Sequence, residues 1–265
     1  MKLLPALLMA AAIFVAPAAG QELTEEQQQQ ATEFAINNSI FVIQHEIGHL
    51  LIGEFGLPVL GKEEDAADSL ATLQLLGAGT DEADQALIDS ADGWYLSELD
   101  AGEEYETSDF YDEHSLSIQR AYQVVCLAVG ANPEAFADTA TEYEIDADRQ
   151  ESCGFDYQTA ATSWASLLEP HEKKEKAGGK ISVVYEDGGD YGDIAQLLKD
   201  VEFLEGAAAG VAENYALPRD LTFTAKLCGE ENAYYSYDEG GITFCYELVG
   251  LFFRLIEEDM LATET

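Results

Sequence analysis

Two of the chain's four histidines stand in His45-Glu46-Ile47-Gly48-His49. They lie inside an apolar stretch, Asn38 to Phe55, that reads as a helix closed by Gly56 and Pro58. Four residues turn a helix through about 400°, so the two imidazoles project about 40° apart on one face. That spacing lets two ring nitrogens reach one zinc ion at about 2.0–2.1 Å. Glu46, one position on, is free to face a water on the ion, as a general base requires. Burying two histidines and a carboxylate costs free energy unless something binds them.

A catalytic zinc takes three protein ligands and keeps one position open. Fourteen residues after His49 begins Glu63-Glu64-Asp65-Ala66-Ala67-Asp68, the opening of a second helix that runs from about Lys62 to Leu76. Glu64 and Asp68 are four residues apart and share a face. Glu64 is expected as third ligand, with Glu63, Asp65 and Asp68 as the alternatives. Asp68 is expected to accept the free ring N–H of a liganding histidine and fix its orientation. The plainer reading of these acids is a helix start favoured by the backbone dipole. Hydrolysis also needs a donor aimed at the developing oxyanion. His114 and Arg120 are the candidates. His171 falls in a charged connector and is expected to be exposed and idle.

The elements that must position these groups are mostly helical. A third helix is expected over Asp81–Leu99 with a turn near Asp92-Gly93, and others near 115–129, 133–140 and 147–168. Residues 171–180, with four basic residues and Gly178-Gly179, read as an exposed connector. Beyond it, Ile181–Tyr185 and Leu221–Leu227 carry strand signals. Ala233–Tyr237 and Ile242–Tyr246 flank Asp238-Glu239-Gly240-Gly241 as a hairpin. Residues 194–215 and 247–260 are helical. The acidic turns at 146–148 and 187–193 match no EF-hand register and read as solvated turns.

The 265 residues include 52 acidic and 12 basic ones, a formal net charge of −40. Nucleic acid is excluded as a partner because no basic stripe meets its phosphates. Hydrophobic content of 47% supports a sizeable core. Residues 1–20 read as a secretory signal: Lys2, an apolar run from Leu3 to Val15, then small residues to Gly20. No later segment reaches 18 apolar residues, so no membrane span is expected in the mature form. An exported chain with four cysteines, Cys126, Cys153, Cys228 and Cys245, is expected to hold two disulfides. The sequential pairing closes the smallest loops.

His45-Glu46-Ile47-Gly48-His49 followed by Glu64 and Asp68 resembles the gluzincin arrangement of thermolysin-like zinc peptidases, with a shorter spacer. Together with Leu57 to Asp68, His114 to Cys126 and Cys228 to Leu248, it more closely resembles a bacterial family of unknown function regarded as metallopeptidases. Asn232 to Tyr235 and Ile242 to Cys245 resemble the edge-strand region of zincins, which binds extended substrate by strand addition. Here that region follows the zinc helices in sequence, which suggests a permuted order.

The expected architecture is therefore α+β: one mostly helical, zincin-like domain over 21–265. Its helical part spans about 32–170, its connector 171–180 and its mixed part 181–265, with a small antiparallel sheet or hairpin from the C-terminal third. The resemblance implies one catalytic Zn²⁺ and a peptide or protein substrate, and the signal segment with the paired cysteines implies a periplasmic or extracellular location. The rival reading is a non-catalytic periplasmic zinc-binding protein, or a degenerate peptidase used for binding.

Overall fold

A computed structural model describes residues 23–102, 105–173 and 178–263. The expected signal segment and Lys174 and Lys176 of the connector lie outside the described residues. The first helix, α1 (Glu25–Phe55), is longer than the apolar stretch alone predicts. Its start is set by a capping box: the Thr24 hydroxyl accepts from the Gln27 N–H, and the Gln27 side chain accepts from the Thr24 N–H at 2.9 Å. The Gln-rich lead-in is thus the first turns of the helix itself. Gly56 ends it with φ +61°, a left-handed cap suited to glycine.

Against α1 pack α2 (Glu63–Ala78) and α3 (Asp81–Ala101), and α4 (Ser117–Ala131), with α5 (Ala137–Glu142) and α6 (Ala147–Leu168) beside it, packs on those two. Then follow β1 (Ile181–Tyr185), α7 (Gly192–Asp200), α8 (Phe203–Asn214), β2 (Leu221–Lys226), β3 (Ala233–Ser236), β4 (Gly241–Cys245) and α9 (Tyr246–Thr263). Apolar residues of α1 are buried on every side because the helix touches α2, α3, α9 and the sheet. One core joins α1 to the end of α6, to α7, α8 and α9 and to the strands, and a second fills the space among α2 to α5 and Phe41 of α1.

The sheet has the order β1-β2-β4-β3 and is mixed. The β3–β4 hairpin is antiparallel as expected, but β1–β2 and β2–β4 are parallel, which corrects the expectation of an antiparallel sheet. The reason is connectivity: α7 and α8 return the chain so that β2 runs alongside β1 in the same direction. The single helix expected over 194–215 is two, divided at Glu202, which takes φ +52°.

The turn expected at Asp92-Gly93 is absent, and α3 runs through it. A Cβ on Gly93 would sit 1.9 Å from Asn38 Oδ1, so this glycine permits a close helix crossing instead of a break. Asn38 uses that proximity to donate to the Asp89 carbonyl at 3.0 Å, while Asn37 donates to the Asp89 carboxylate at 2.6 Å. The disulfides Cys126–Cys153, between α4 and α6, and Cys228–Cys245, at the end of β4, follow the sequential pairing. Each contributes on the order of 3 kcal/mol by restricting the unfolded chain.

Between α1, α3 and α9 lies a half-open cavity of about 500 Å³ lined by Asp89, Asp92 and Asp259 beside Phe34, Leu96 and Ile256. Burial, with the charges of Asp89, Glu142 and Asp259, pushes the Asp92 carboxyl up to about 6, against the hydrogen bond from Tyr143. The folded state therefore binds this proton more tightly than the unfolded chain, and stability falls as pH rises from about 4 to 6. Asp92→Asn should flatten that slope and stabilise the protein at pH 7.5 by on the order of 2 kcal/mol. Denaturant unfolding at pH 4.5 and 7.5 checks it; a variant with the wild-type slope would refute the assignment.

Candidate metal centre

The site begins with a contact between small residues. A Cβ on Gly48 would come within 3.0 Å of Ala67 Cα and 3.1 Å of its Cβ, so α1 and α2 touch almost backbone to backbone. Ala67 lies between Glu64 and Asp68 on α2. The crossing consequently carries both acids to the histidines that flank Gly48 on α1.

His45 Nε2 and His49 Nε2 are 3.0 Å apart, and each is 3.1 Å from Glu64 Oε2. Ligands about 2.0–2.1 Å from a tetrahedral ion lie about 3.3 Å from one another, so this spacing suits a single zinc-sized centre. The opposite ring nitrogens are held by carboxylates: His45 Nδ1 is 2.7 Å from Asp68 Oδ1, and His49 Nδ1 is 2.9 Å from Glu63 Oε1. With a metal bound, these bonds would keep the proton on Nδ1 and leave the Nε2 lone pairs to the ion; without one, the Nε2 atoms donate to Glu64. The donor set, imidazole nitrogens with one carboxylate, suits a divalent transition-metal ion, zinc among them.

Electrostatics follow from the same contacts. Burial draws the His45 imidazole down, but hydrogen bonds to Asp68 and Glu64 outweigh it and raise it to about 9. His49 is raised as well, burial being overcome by Glu64 and Glu63. Burial opposes ionisation of Glu64, yet hydrogen bonds from His114, His45 and His49 hold its carboxyl well below the ordinary range. Asp68, almost fully buried, is held ionised against burial chiefly by the Arg120 guanidinium. In the metal-free site protons on the imidazoles balance the carboxylates, and a bound cation would take over that role.

Arg120 does not face the donor cluster directly. Its Nε and Nη2 each donate to Asp68 at 2.7 Å, and its guanidinium lies 3.6 Å over the Trp94 ring. It is buried, one residue behind His45. Glu46 is buried beside β3; burial raises its carboxyl, opposed by the charges of His45 and His49 and by the Tyr235 backbone N–H. The edge strand is itself tied to α1: Tyr235 Oη donates to Glu54 Oε1 at 2.8 Å, and Arg219 Nε and Nη2 donate to the same carboxylate.

His114 does join the cluster, its Nε2 lying 2.9 Å from Glu64 Oε2. His171 lies elsewhere, and it is not exposed: its ring stacks on Phe55 at 4.1 Å, because the connector folds back on the end of α1. The sequence reading missed the parts played by Gly48, Ala67, Trp94 and the Glu54–Arg219–Tyr235 clamp. A glycine inside a helix is the one signal that could have pointed to Gly48, since it costs helix stability unless close packing needs it. Gly48→Val should force α1 and α2 apart, weaken zinc binding at least tenfold and cost about 1–3 kcal/mol of stability. Chelator competition and thermal unfolding read both effects; unaltered affinity would show that the close crossing does not set the site.

No curated protein and no solved structure matches the chain. A family model described as "Putative metallopeptidase" (DUF4344) matches residues 10–168 and 186–264. A metal held between α1 and α2 is in keeping with that description, and with a match over most of its length the chain belongs to this family.

Proposed function

We propose that the protein is an exported zinc peptidase in which His45, His49 and Glu64 hold the ion and Glu46 is the general base. The observation that carries this reading is the convergence of two helical imidazoles on one carboxylate oxygen beside a buried glutamate. When bound, zinc supplies Lewis acidity, polarising a carbonyl and lowering the pKa of a water. Glu46 would take a proton from a water at the site and pass it to the leaving amine. Its buried environment suits the second task, since a raised carboxyl holds the proton until the amine needs it.

Asp68 keeps the Nδ1 proton on His45, and Arg120 with Trp94 keeps Asp68 ionised and oriented. In this reading Arg120 orients a ligand; it does not polarise the substrate. The edge strand β3, clamped to α1 through Glu54, offers an extended peptide a backbone to pair with. The paired cysteines fit an oxidising compartment, and no helix among the described residues is long and apolar enough to cross a membrane.

Zinc content and turnover of a mixed peptide digest test the reading in wild type, Glu46→Gln and Glu64→Ala. Glu46→Gln should keep one equivalent of zinc and lose about 10²–10⁴-fold in rate. Glu64→Ala should lose most of the metal. Undiminished turnover in Glu46→Gln would remove the base assignment. Tightly held zinc in a wild type that cleaves nothing would favour the binding-protein reading.

A further inference from the structure

Three imidazoles, not two, aim Nε2 at Glu64 Oε2: His45 and His49 at 3.1 Å and His114 at 2.9 Å. All three have a carboxylate on the far side of the ring. Asp68 is 2.7 Å from His45 Nδ1, Glu63 is 2.9 Å from His49 Nδ1, and Asp112 is 3.5 Å from His114 Nδ1. The ligand atoms of His45, Glu64 and His114 lie within 4.8 Å of one another, close enough to share one ion. A side chain dedicated to polarising substrate would keep Nε2 clear of the donor set, whereas that of His114 points into it.

The turn carrying His114 is fastened to the start of α2. Lys62 Nζ donates to the His114 carbonyl at 2.8 Å, the His114 N–H donates to Asp112 at 2.9 Å, and Ser115 Oγ donates to Asp65 at 2.7 Å. The side chain itself is loosely enclosed: 49% exposed, against 5% for His45 and 13% for His49. Its backbone is anchored at bonding distance while its ring can rotate into solvent without disturbing the core.

We infer that His114 is a fourth protein ligand that closes the metal centre at rest and must leave it before a peptide carbonyl can approach. The inference rests on the reading above that His45, His49 and Glu64 bind zinc. Four protein ligands make a closed site, and three leave a position open. Three of these four come from packed helices and stay, so the exposed one is the ligand that can be displaced. The centre is thus latent by default, and substrate opens it.

The test loads wild type, His114→Ala and His114→Gln with zinc, counts imidazoles by X-ray absorption and measures affinity by chelator competition. Expected are three imidazoles in wild type and two in the variants. Dissociation constants should rise more than about 100-fold, beyond the 10–100-fold that loss of an outer partner costs. The metal-free variants should still unfold cooperatively, which separates loss of ligation from loss of the fold. Two imidazoles in wild type, or unaltered affinity in both variants, would overturn the inference. Variants that bind zinc normally and lose only turnover would make His114 a substrate-polarising group and leave the peptidase reading standing. A wild type without zinc would remove both.

Discussion

The close crossing of α1 and α2 at Gly48 and Ala67 is the constraint from which the candidate centre follows. Side chains on neighbouring helices usually keep the axes 8–10 Å apart, and short acids such as Asp68 reach across only when that distance is small. Because neither residue at the crossing carries more than a methyl group, Asp68 meets His45 Nδ1 and Glu64 meets both Nε2 atoms without stretching. The second core, among α2 to α5, holds α2 in that position from behind through Ala71 and Leu75.

Charge explains why the cluster is built as it is. In a chain with 52 acidic and 12 basic residues, a buried carboxylate has few cations to pair with. Arg120 is one of those few, and it is buried against Asp68 with Trp94 beneath its guanidinium. Its bidentate bond keeps Asp68 ionised in an environment that would otherwise protonate it. Glu64, with no arginine or lysine among its partners, is matched by imidazoles alone. Such a group is stable only while the imidazoles carry protons or a metal ion stands in for them.

The sheet reaches the same helix from another side. Glu54, two turns beyond His45, accepts from Tyr235 of β3 and from Arg219 just ahead of β2, so a single carboxylate fixes the spacing between edge strand and helix. The strand region follows the helices of the centre in sequence and still meets α1 in space. Backbone hydrogen bonding and side-chain packing depend on proximity in space, and chain order does not alter them. The parallel pairing of β1, β2 and β4 allows this order, since it places β3 at the edge nearest α1.

Much of this was legible in the residues themselves. Helical periodicity located α1 and α2, the four-residue spacing put His45 with His49 and Glu64 with Asp68, and loop size pointed to the cysteine pairs. These features depend on residues near one another in sequence, where helix geometry alone dictates the outcome. What remained open involved contacts between distant segments. Gly93 read as part of a turn, and Gly48 as no more than a position inside the motif, until the partners Asn38 and Ala67 were known. Arg120 read as a group for the substrate until tertiary packing set it behind Asp68, 52 residues away in sequence. The direction of β2 was likewise decided by how α7 and α8 pack. Local spacing determined which residues could act together, and only the meeting of separate helices decided which of them do, because burial and hydrogen-bond partners are properties of the folded chain.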